Sequence, residues 1–146
     1  MSAKALRVKA YVDGGSRGNP GPAGAGVLLQ ADDDGTALHE AVHFLGRTTN
    51  NVAEYKALIA ALRAARDLGA AEVEAYSDSE LLVRQMNGQY RVRNAGLAPL
   101  FAEAQKLAGT FGRFEIAHIP REQNAHADRL ANQAMNCRSD VEDAAG

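Results

Sequence analysis

Three strand-like segments follow one another over the first fifty residues, and the first of them alternates apolar and polar residues, as strands with one buried face do. Apolar side chains stand at every second position from Leu6 to Val12, and a period of two places them on one side of a strand. The segments AGVLLQA and ALHEAVHFLG continue the strand pattern, and Asp34-Gly35 between them favours a hairpin turn. Three consecutive antiparallel strands are therefore predicted.

Beyond residue 50 the apolar positions recur every three or four residues, which indicates helices. The segment NNVAEYKALIAALRAARDLG is long and ends in Gly69, a residue that commonly terminates a helix. Shorter helices are predicted for SELLVRQMNG, GLAPLFAEAQKLAG and EQNAHADRLANQAM, and further strands for AEVEAYSD and GRFEIAHIP. Helical crossovers make the later strands parallel. The order β-β-β-α-β-α-α-β-α thus predicts an α/β fold, with a mixed five-stranded sheet and helices on both faces.

Size and composition limit the classes of protein to which this chain can belong. The 146 residues suffice for one domain with its own core, predicted here over residues 1–136, whereas residues 137–146 lack apolar periodicity and are expected to fray. A net charge of −2 excludes a global positive field, so nucleic-acid binding requires local patches or metal ions. With one cysteine, no signal-peptide pattern and no long apolar run, a cytoplasmic protein without membrane contact is expected.

Two acids directly follow predicted strands. Asp13 ends the first strand, inside the glycine-rich stretch YVDGGSRGNPGPAGAG, and Asp78 ends the fourth. The carboxyl ends of strands are where α/β sheets bind ligands. Each acid also has an ordinary explanation, because Asp-Gly-Gly suits a turn and Asp-Ser suits the start of a helix.

Two more acids lie near the beginnings of predicted helices. Glu54 stands on the apolar stripe of its helix, where an uncompensated carboxylate is costly. Asp128 borders the stripe of the last helix, where a favourable interaction with the helix dipole is the alternative. Four carboxylates at one rim of the sheet would repel each other unless cations intervene. Oxygen ligands without cysteines suit Mg²⁺ or Mn²⁺.

Four segments, YVDGGSRGNPGPAGAG, TNNVAEYKALIAAL, YSDSELLVRQ and IPREQNAHADRLAN, resemble the type 1 ribonuclease H family. The resemblance extends over residues 6–136 and includes the order of the elements. It implies a ribonuclease H-like fold with sheet order 3-2-1-4-5, and an endoribonuclease that cuts the RNA strand of RNA/DNA hybrids. The metal-binding and catalytic acids of the family correspond to Asp13, Glu54, Asp78 and Asp128.

The resemblance also implies two Mg²⁺ ions, or Mn²⁺ in their place. One ion would hold the attacking water and the other would stabilise the departing 3′ oxygen, which leaves 5′-phosphate and 3′-hydroxyl ends. Contacts with the hybrid are implied for Gly14, Gly15, Asn19, Asn51 and Ser79, of which the glycines would bring backbone close to the minor groove. For the two asparagines, turn or helix-capping chemistry stays an alternative.

The chain lacks the basic helical protrusion that larger relatives insert after the second helix. The segment VRQMNGQYRVRNAG stands in its place and contains three arginines and no acid. Arg84, Arg91 and Arg93 are predicted to bind phosphates of the DNA strand; a solvated loop is the alternative. Glu80 stands where many relatives carry glutamine, so contacts near the RNA strand are expected to differ.

Many relatives carry a mobile histidine before the last helix. His118 lies at the matching distance from Asp128, but it shares a strand face with Phe114 and Ile116, so a packed core position is predicted for it. Arg121 matches the arginine of the shorter, archaeal-like branch of the family. It is predicted to assist catalysis through its charge.

Together these features predict a monomeric, hybrid-specific endoribonuclease. A non-catalytic module that binds hybrids is one alternative, although binding alone gains nothing from four repelling carboxylates. A phosphotransferase is another, because Asp-Gly-Gly loops also occur in sugar-kinase-like folds. Those folds need two such domains around a nucleotide, and this chain supplies one.

Overall fold

A mixed sheet forms the centre of the protein, whose computed structural model describes residues 5–138 and the backbone of residues 141–143. The first five strands are β1 (Arg7–Ser16), β2 (Gly21–Ala31), β3 (Ala37–Thr48), β4 (Glu72–Ser77) and β5 (Arg113–His118). They lie in the order 3-2-1-4-5. β2 pairs antiparallel with β1 and β3, whereas β4 pairs parallel with β1 and β5. The predicted fold class and strand order are confirmed.

Helices cover both faces of this sheet. They are α1 (Asn50–Asp67), α2 (Glu80–Met86), α3 (Ala98–Ala108) and α4 (Ala125–Cys137), and a 3-10 turn over Arg121–Asn124 leads into α4. α1 packs on β1 and β2 and against α3, while α4 packs on β1, β2 and β3. The main core lies under α1, where Val8, Ala10 and Val12 of β1 are at most 1% exposed. This is the face that the alternation predicts.

Glycines of the stretch YVDGGSRGNPGPAGAG let both helices reach the sheet. A Cβ on Gly14 would lie 2.3 Å from the carbonyl group of Ala53 in α1. On the other face, a Cβ on Gly26 would lie 2.2 Å from the carbonyl oxygen of Ala127 in α4. Only a residue without a side chain fits at either position. The sequence predicts a turn and a backbone surface for the hybrid in this stretch, and helix packing is an additional reason for its glycines.

The C-terminal segment differs from its prediction. α4 continues to Cys137, and Val141–Asp143 (β6) pairs antiparallel with β3 at the edge of the sheet. Residues 139–140 and 144–146 of the predicted frayed tail lie outside the described residues. Three residues are too few to show periodicity, and an edge pairing is made by backbone groups that any sequence has. The division at residue 136 stays a prediction. None of the described helices is long and apolar enough to cross a membrane.

Candidate active site

A cleft of about 470 Å³ opens where β1 and β4 separate beyond their last paired residues. All four predicted acids line it, and each comes from a different part of the fold. Asp13 lies on β1, Glu54 in the second turn of α1, Asp78 directly after β4, and Asp128 in the first turn of α4. The structure therefore brings together four carboxylates that are far apart in sequence.

Asp13 is the most perturbed of these acids. Burial raises its pKa from the ordinary 3.8 to about 8, and the negative charge of Asp78 and a hydrogen bond with Asp128 act in the same direction. Burial and the neighbouring carboxylates therefore favour the protonated form of the Asp13 carboxyl group when no cation is present. A positive ion in the cleft would compete directly with that proton.

Glu54 has a similar environment with one compensating contact. Burial raises its pKa from 4.5 to about 7, and the charge of Asp78 adds to this, whereas a hydrogen bond from Ser79 lowers it. The Ser79 hydroxyl donates to Oε2 of Glu54 at 2.6 Å and accepts from the Leu82 backbone N–H at 3.2 Å, which caps α2. A contact with the hybrid is predicted for Ser79, but its hydroxyl proton is directed at Glu54.

The four carboxylates line the cleft but do not form a closed cage around a single ion. Within residues 5–138, no three carboxylate, imidazole or thiol side chains are arranged as ready ligands of one ion. Mg²⁺ takes only one or two carboxylates and completes its shell with water and substrate phosphate. A cleft that supplies all-oxygen donors and stays open on one side meets this requirement.

The glycine-rich loop is tied to the start of α1 by asparagine side chains. Oδ1 of Asn19 accepts from the backbone N–H of Asn50 at 3.1 Å, and Oδ1 of Asn50 accepts from that of Ser16 at 2.8 Å. Helix-start chemistry, the alternative for Asn19, is therefore present. Asn51 is exposed beside them. Asn50 lines the cleft and was missed, although it is part of the same TNN motif as Asn51.

The prediction that His118 is packed in the core is wrong. His118 is exposed and lines the cleft together with Arg121. β5 is an edge strand of which only Ile116 is buried, and Phe114 is half-buried. Periodicity assigns a residue to a face of a strand, but the extent of that face covered by helices depends on packing between distant segments.

The three arginines of the α2–α3 segment do not line the carboxylate cleft. Arg84 is bonded to Glu80 through Nε at 2.8 Å and lies over the Tyr90 ring, 5.2 Å from its centre. Arg91 and Tyr90 line a second groove, of about 510 Å³. Arg93 is exposed. The cleft has a cation that the motifs did not single out, Arg17, whose guanidinium bonds to Asn136 of α4.

Comparisons with known proteins identify relatives of this chain. A family model described as reverse transcriptase-like matches residues 11–134. The bifunctional protein Rv2228c of Mycobacterium tuberculosis is 48% identical over 131 residues, which are 90% of this chain and 36% of that protein. Ribonuclease HI of Halobacterium salinarum is 45% identical over 130 residues, which are 89% of this chain and 65% of that protein. The chain thus spans less than two thirds of either relative.

Solved structures of the same group superpose closely. The N-terminal ribonuclease H domain of Rv2228c gives a TM-score of 0.89 at 47% identity, covering 91% of this chain and 96% of that one. A crystal structure of LC11-RNase H1 in complex with an RNA/DNA hybrid gives 0.85 at 46% identity, covering 90% and 98%. A mixed sheet of order 3-2-1-4-5 with helices on both faces is the ribonuclease H-like fold. With these matches, the chain belongs to the type 1 ribonuclease H family.

Proposed function

We propose that this protein is an endoribonuclease that hydrolyses the RNA strand of RNA/DNA hybrids with two divalent cations, Mg²⁺ or Mn²⁺. One observation carries the proposal: four carboxylates from four elements meet in one open cleft, and two of them have strongly raised pKa values. Such a cluster weakens the fold when no cation is bound. Binding of a hybrid alone would not require it.

Asp13, Glu54, Asp78 and Asp128 would hold the cations. When bound, a pair of such ions activates water and stabilises the departing 3′ oxygen, which yields 5′-phosphate and 3′-hydroxyl ends. Ser79 keeps Glu54 oriented through its 2.6 Å hydrogen bond. The four acids form the catalytic group of the proposal together with Arg121, and Ser79 stays a proposed contact with the hybrid.

We propose that Arg121 contributes a positively charged side chain to catalysis, in addition to the metal ions. Arginine stays protonated at any working pH and cannot act as a base. Its role is therefore electrostatic, through attraction to the transferring phosphate. Its position on the 3-10 turn at the edge of the cleft supports this role, and His118 occupies the same edge.

The hybrid is proposed to bind across two surfaces. Backbone of Gly14 and Gly15, together with Asn19 and Asn51, would contact the shallow minor groove of the hybrid, where 2′-hydroxyl groups mark the RNA strand. The arginines of the α2–α3 segment would bind phosphates of the DNA strand. The groove beside Tyr90 and the absence of acids from Leu81 to Ala102 support that assignment.

A cleavage assay with labelled duplexes tests the proposal. We expect RNA/DNA to be cut in its RNA strand with Mg²⁺ or Mn²⁺, and DNA/DNA and all samples in EDTA to stay intact. The RNA/RNA sample measures whether double-stranded RNA is also a substrate. Asp78→Asn should abolish cleavage, while Asp67→Asn, a change at an exposed acid in the last turn of α1, should not. Tight binding of the hybrid without cleavage under any metal condition would favour the binding-module alternative.

We also propose that the protein is a monomer of a reducing compartment such as the cytoplasm. Cys137 is exposed and free, which suits that compartment. Light scattering in solution gives the mass directly, and twice the chain mass of 15.5 kDa would contradict the monomer.

A further inference from the structure

Asn124 is a buried polar residue whose side chain does not cap its own helix. It stands directly before α4, where asparagine ordinarily accepts a hydrogen bond from the first turn. No such bond forms here. Instead, its Nδ2 donates to the carbonyl oxygen of Val12 at 2.9 Å, between residues 112 positions apart. Asn124 is 1% exposed, so water does not compete for this bond.

The two ends of this hydrogen bond lie beside two of the acids. Val12 immediately precedes Asp13 on β1, and Asp128 follows Asn124 by four residues, about one turn along α4. The paired register of β1 with β4 ends one residue before Val12. The bond therefore ties the beginning of α4 to β1 at the point where the cleft opens.

The other contacts of this part of α4 are less directional. The helix rests on bare backbone at Gly24 and Gly26. Without interlocking side chains, this contact fixes the distance between helix and sheet but determines the position of the helix along the sheet less well. His126 of the same turn pairs with Glu40 of β3 at 2.6 Å, but both side chains are partly exposed. Salt and solvent weaken such a pair.

A residue that served only to fill space at this position would have no need of a carboxamide. No donor within the described part of the chain reaches Oδ1 of Asn124, and a buried acceptor without a partner is unfavourable. An apolar side chain of similar size would avoid that penalty but would leave the Val12 carbonyl without its donor.

We propose that Asn124 is a positioning residue, which holds Asp128 in register with Asp13 and thereby sets the affinity of the cleft for divalent cations. This inference rests on the proposed function, because it assigns cation binding to those acids. Removing a side chain that bonds directly to a metal ligand typically changes metal affinity or activity by about 10- to 100-fold. Asn124 acts through the backbone of Val12, so an effect at the lower end of that range is expected.

Asn124→Ser is the informative variant, because serine begins a helix about as well as asparagine but carries no carboxamide to reach Val12. Asn87→Ser is the matched control. Nδ2 of Asn87 donates to the carbonyl oxygen of Ile116 on β5 at 3.2 Å, the same kind of bond outside the cleft. Calorimetry without nucleic acid gives the Mn²⁺ affinity of each variant. The melting temperature is measured in EDTA, and kcat and KM are measured with the hybrid as substrate.

Asn124→Ser should weaken Mn²⁺ binding about tenfold and lower kcat by a similar factor, with KM changed less than about twofold. Asn87→Ser should lower the melting temperature less, because Asn87 is exposed and water can replace its bond, and it should leave Mn²⁺ affinity unchanged. Equal Mn²⁺ affinities in the two variants would overturn the proposal, as would an Asn124→Ser protein that is unfolded in EDTA, since Asn124 would then be required for folding itself. A wild-type protein that binds Mn²⁺ but cuts no hybrid would overturn the proposed function and leave this comparison valid.

Discussion

Asp13 and Glu54 show at the scale of single residues how the cleft is coupled to folding. An unfolded chain ionises them at their ordinary pKa values of 3.8 and 4.5, whereas the folded protein does so at about 8 and about 7. Because the folded state holds these protons more tightly, their contribution to stability is complete below about pH 4. It is lost as the pH rises towards 8. A bound cation replaces the protons and offsets the loss.

We therefore expect the melting temperature in EDTA to fall between pH 5 and pH 9, and to fall less in Asp13→Asn. At pH 8.5 without metal, Asp13→Asn should be more stable than the parent by about 1 kcal/mol or more, roughly 3 °C in melting temperature. Asp67→Asn, at an exposed acid, serves as the control. A lower melting temperature for Asp13→Asn than for the parent would show that the carboxylate supports the fold.

Arg121 and His118 share one edge of the cleft, which allows a direct comparison. Arg121→Ala should lower kcat about 10-fold, which corresponds to removing about 1.4 kcal/mol of transition-state stabilisation. Both side chains are exposed, so neither alanine variant should change the melting temperature appreciably. His118→Ala should stay within about threefold of the parent. A pH–rate limb near neutrality that vanishes only in His118→Ala would assign proton transfer to the histidine instead.

At the scale of elements, the position of α4 depends on close contact between backbones. Gly26 of β2 faces the carbonyl oxygen of Ala127, and Asp13 is its partner across the β1–β2 ladder. α4 contributes Asp128 to the cleft. Any displacement of the helix from β2 therefore moves Asp128 away from Asp13.

Gly26→Ala tests this packing. The added methyl group would overlap backbone atoms of α4, so we expect a decrease of about 2 kcal/mol in unfolding free energy and weaker Mn²⁺ binding. Gly109→Ala is the control, because φ is −69° there and the nearest atoms are 3.5 Å from the new Cβ. That variant should be neutral or slightly stabilised. Denaturant unfolding measures the change in unfolding free energy, and calorimetry measures the change in Mn²⁺ affinity. A Gly26→Ala variant with the stability and Mn²⁺ affinity of the parent would contradict this account of the packing.

At the scale of the whole molecule, a chain of net charge −2 has to bind a polyanion through local features. Exposed Arg91 and Arg93 are the strongest candidates, whereas Arg84 is already paired with Glu80. Binding that depends on such arginines weakens with salt, because each phosphate that they neutralise releases counterions.

Replacing Arg84, Arg91 and Arg93 with alanine should reduce hybrid affinity about equally across sequences. The slope of log affinity against log salt should flatten by roughly 0.9 or less for each phosphate that the variant no longer binds. Arg66→Ala, at an exposed arginine in the last turn of α1, should leave the slope unchanged. Fluorescence anisotropy in a salt series measures the slope. An unaltered slope in the triple variant would show that these arginines belong to a solvated loop and do not bind phosphates.

Local sequence patterns were sufficient to predict the first five strands, the four helices and their order, and most of the side chains that face the core, although they missed β6 and misplaced His118. Alternation placed Val8 and Val12 inside, and the helical stripe placed Glu54 at the buried edge of α1. These properties depend on residues a few positions apart, and periodicity reports them directly. The motifs also indicated which four acids belong together.

What each of these residues touches was established by the packing of distant segments. That packing exposed His118, directed the Ser79 hydroxyl to Glu54, and joined Asn124 to Val12. It also gave Gly26 its role as the place where α4 meets the sheet. Such contacts join segments far apart in the chain, and their distances depend on how whole helices pack on the sheet. Local sequence patterns therefore do not predict these contacts.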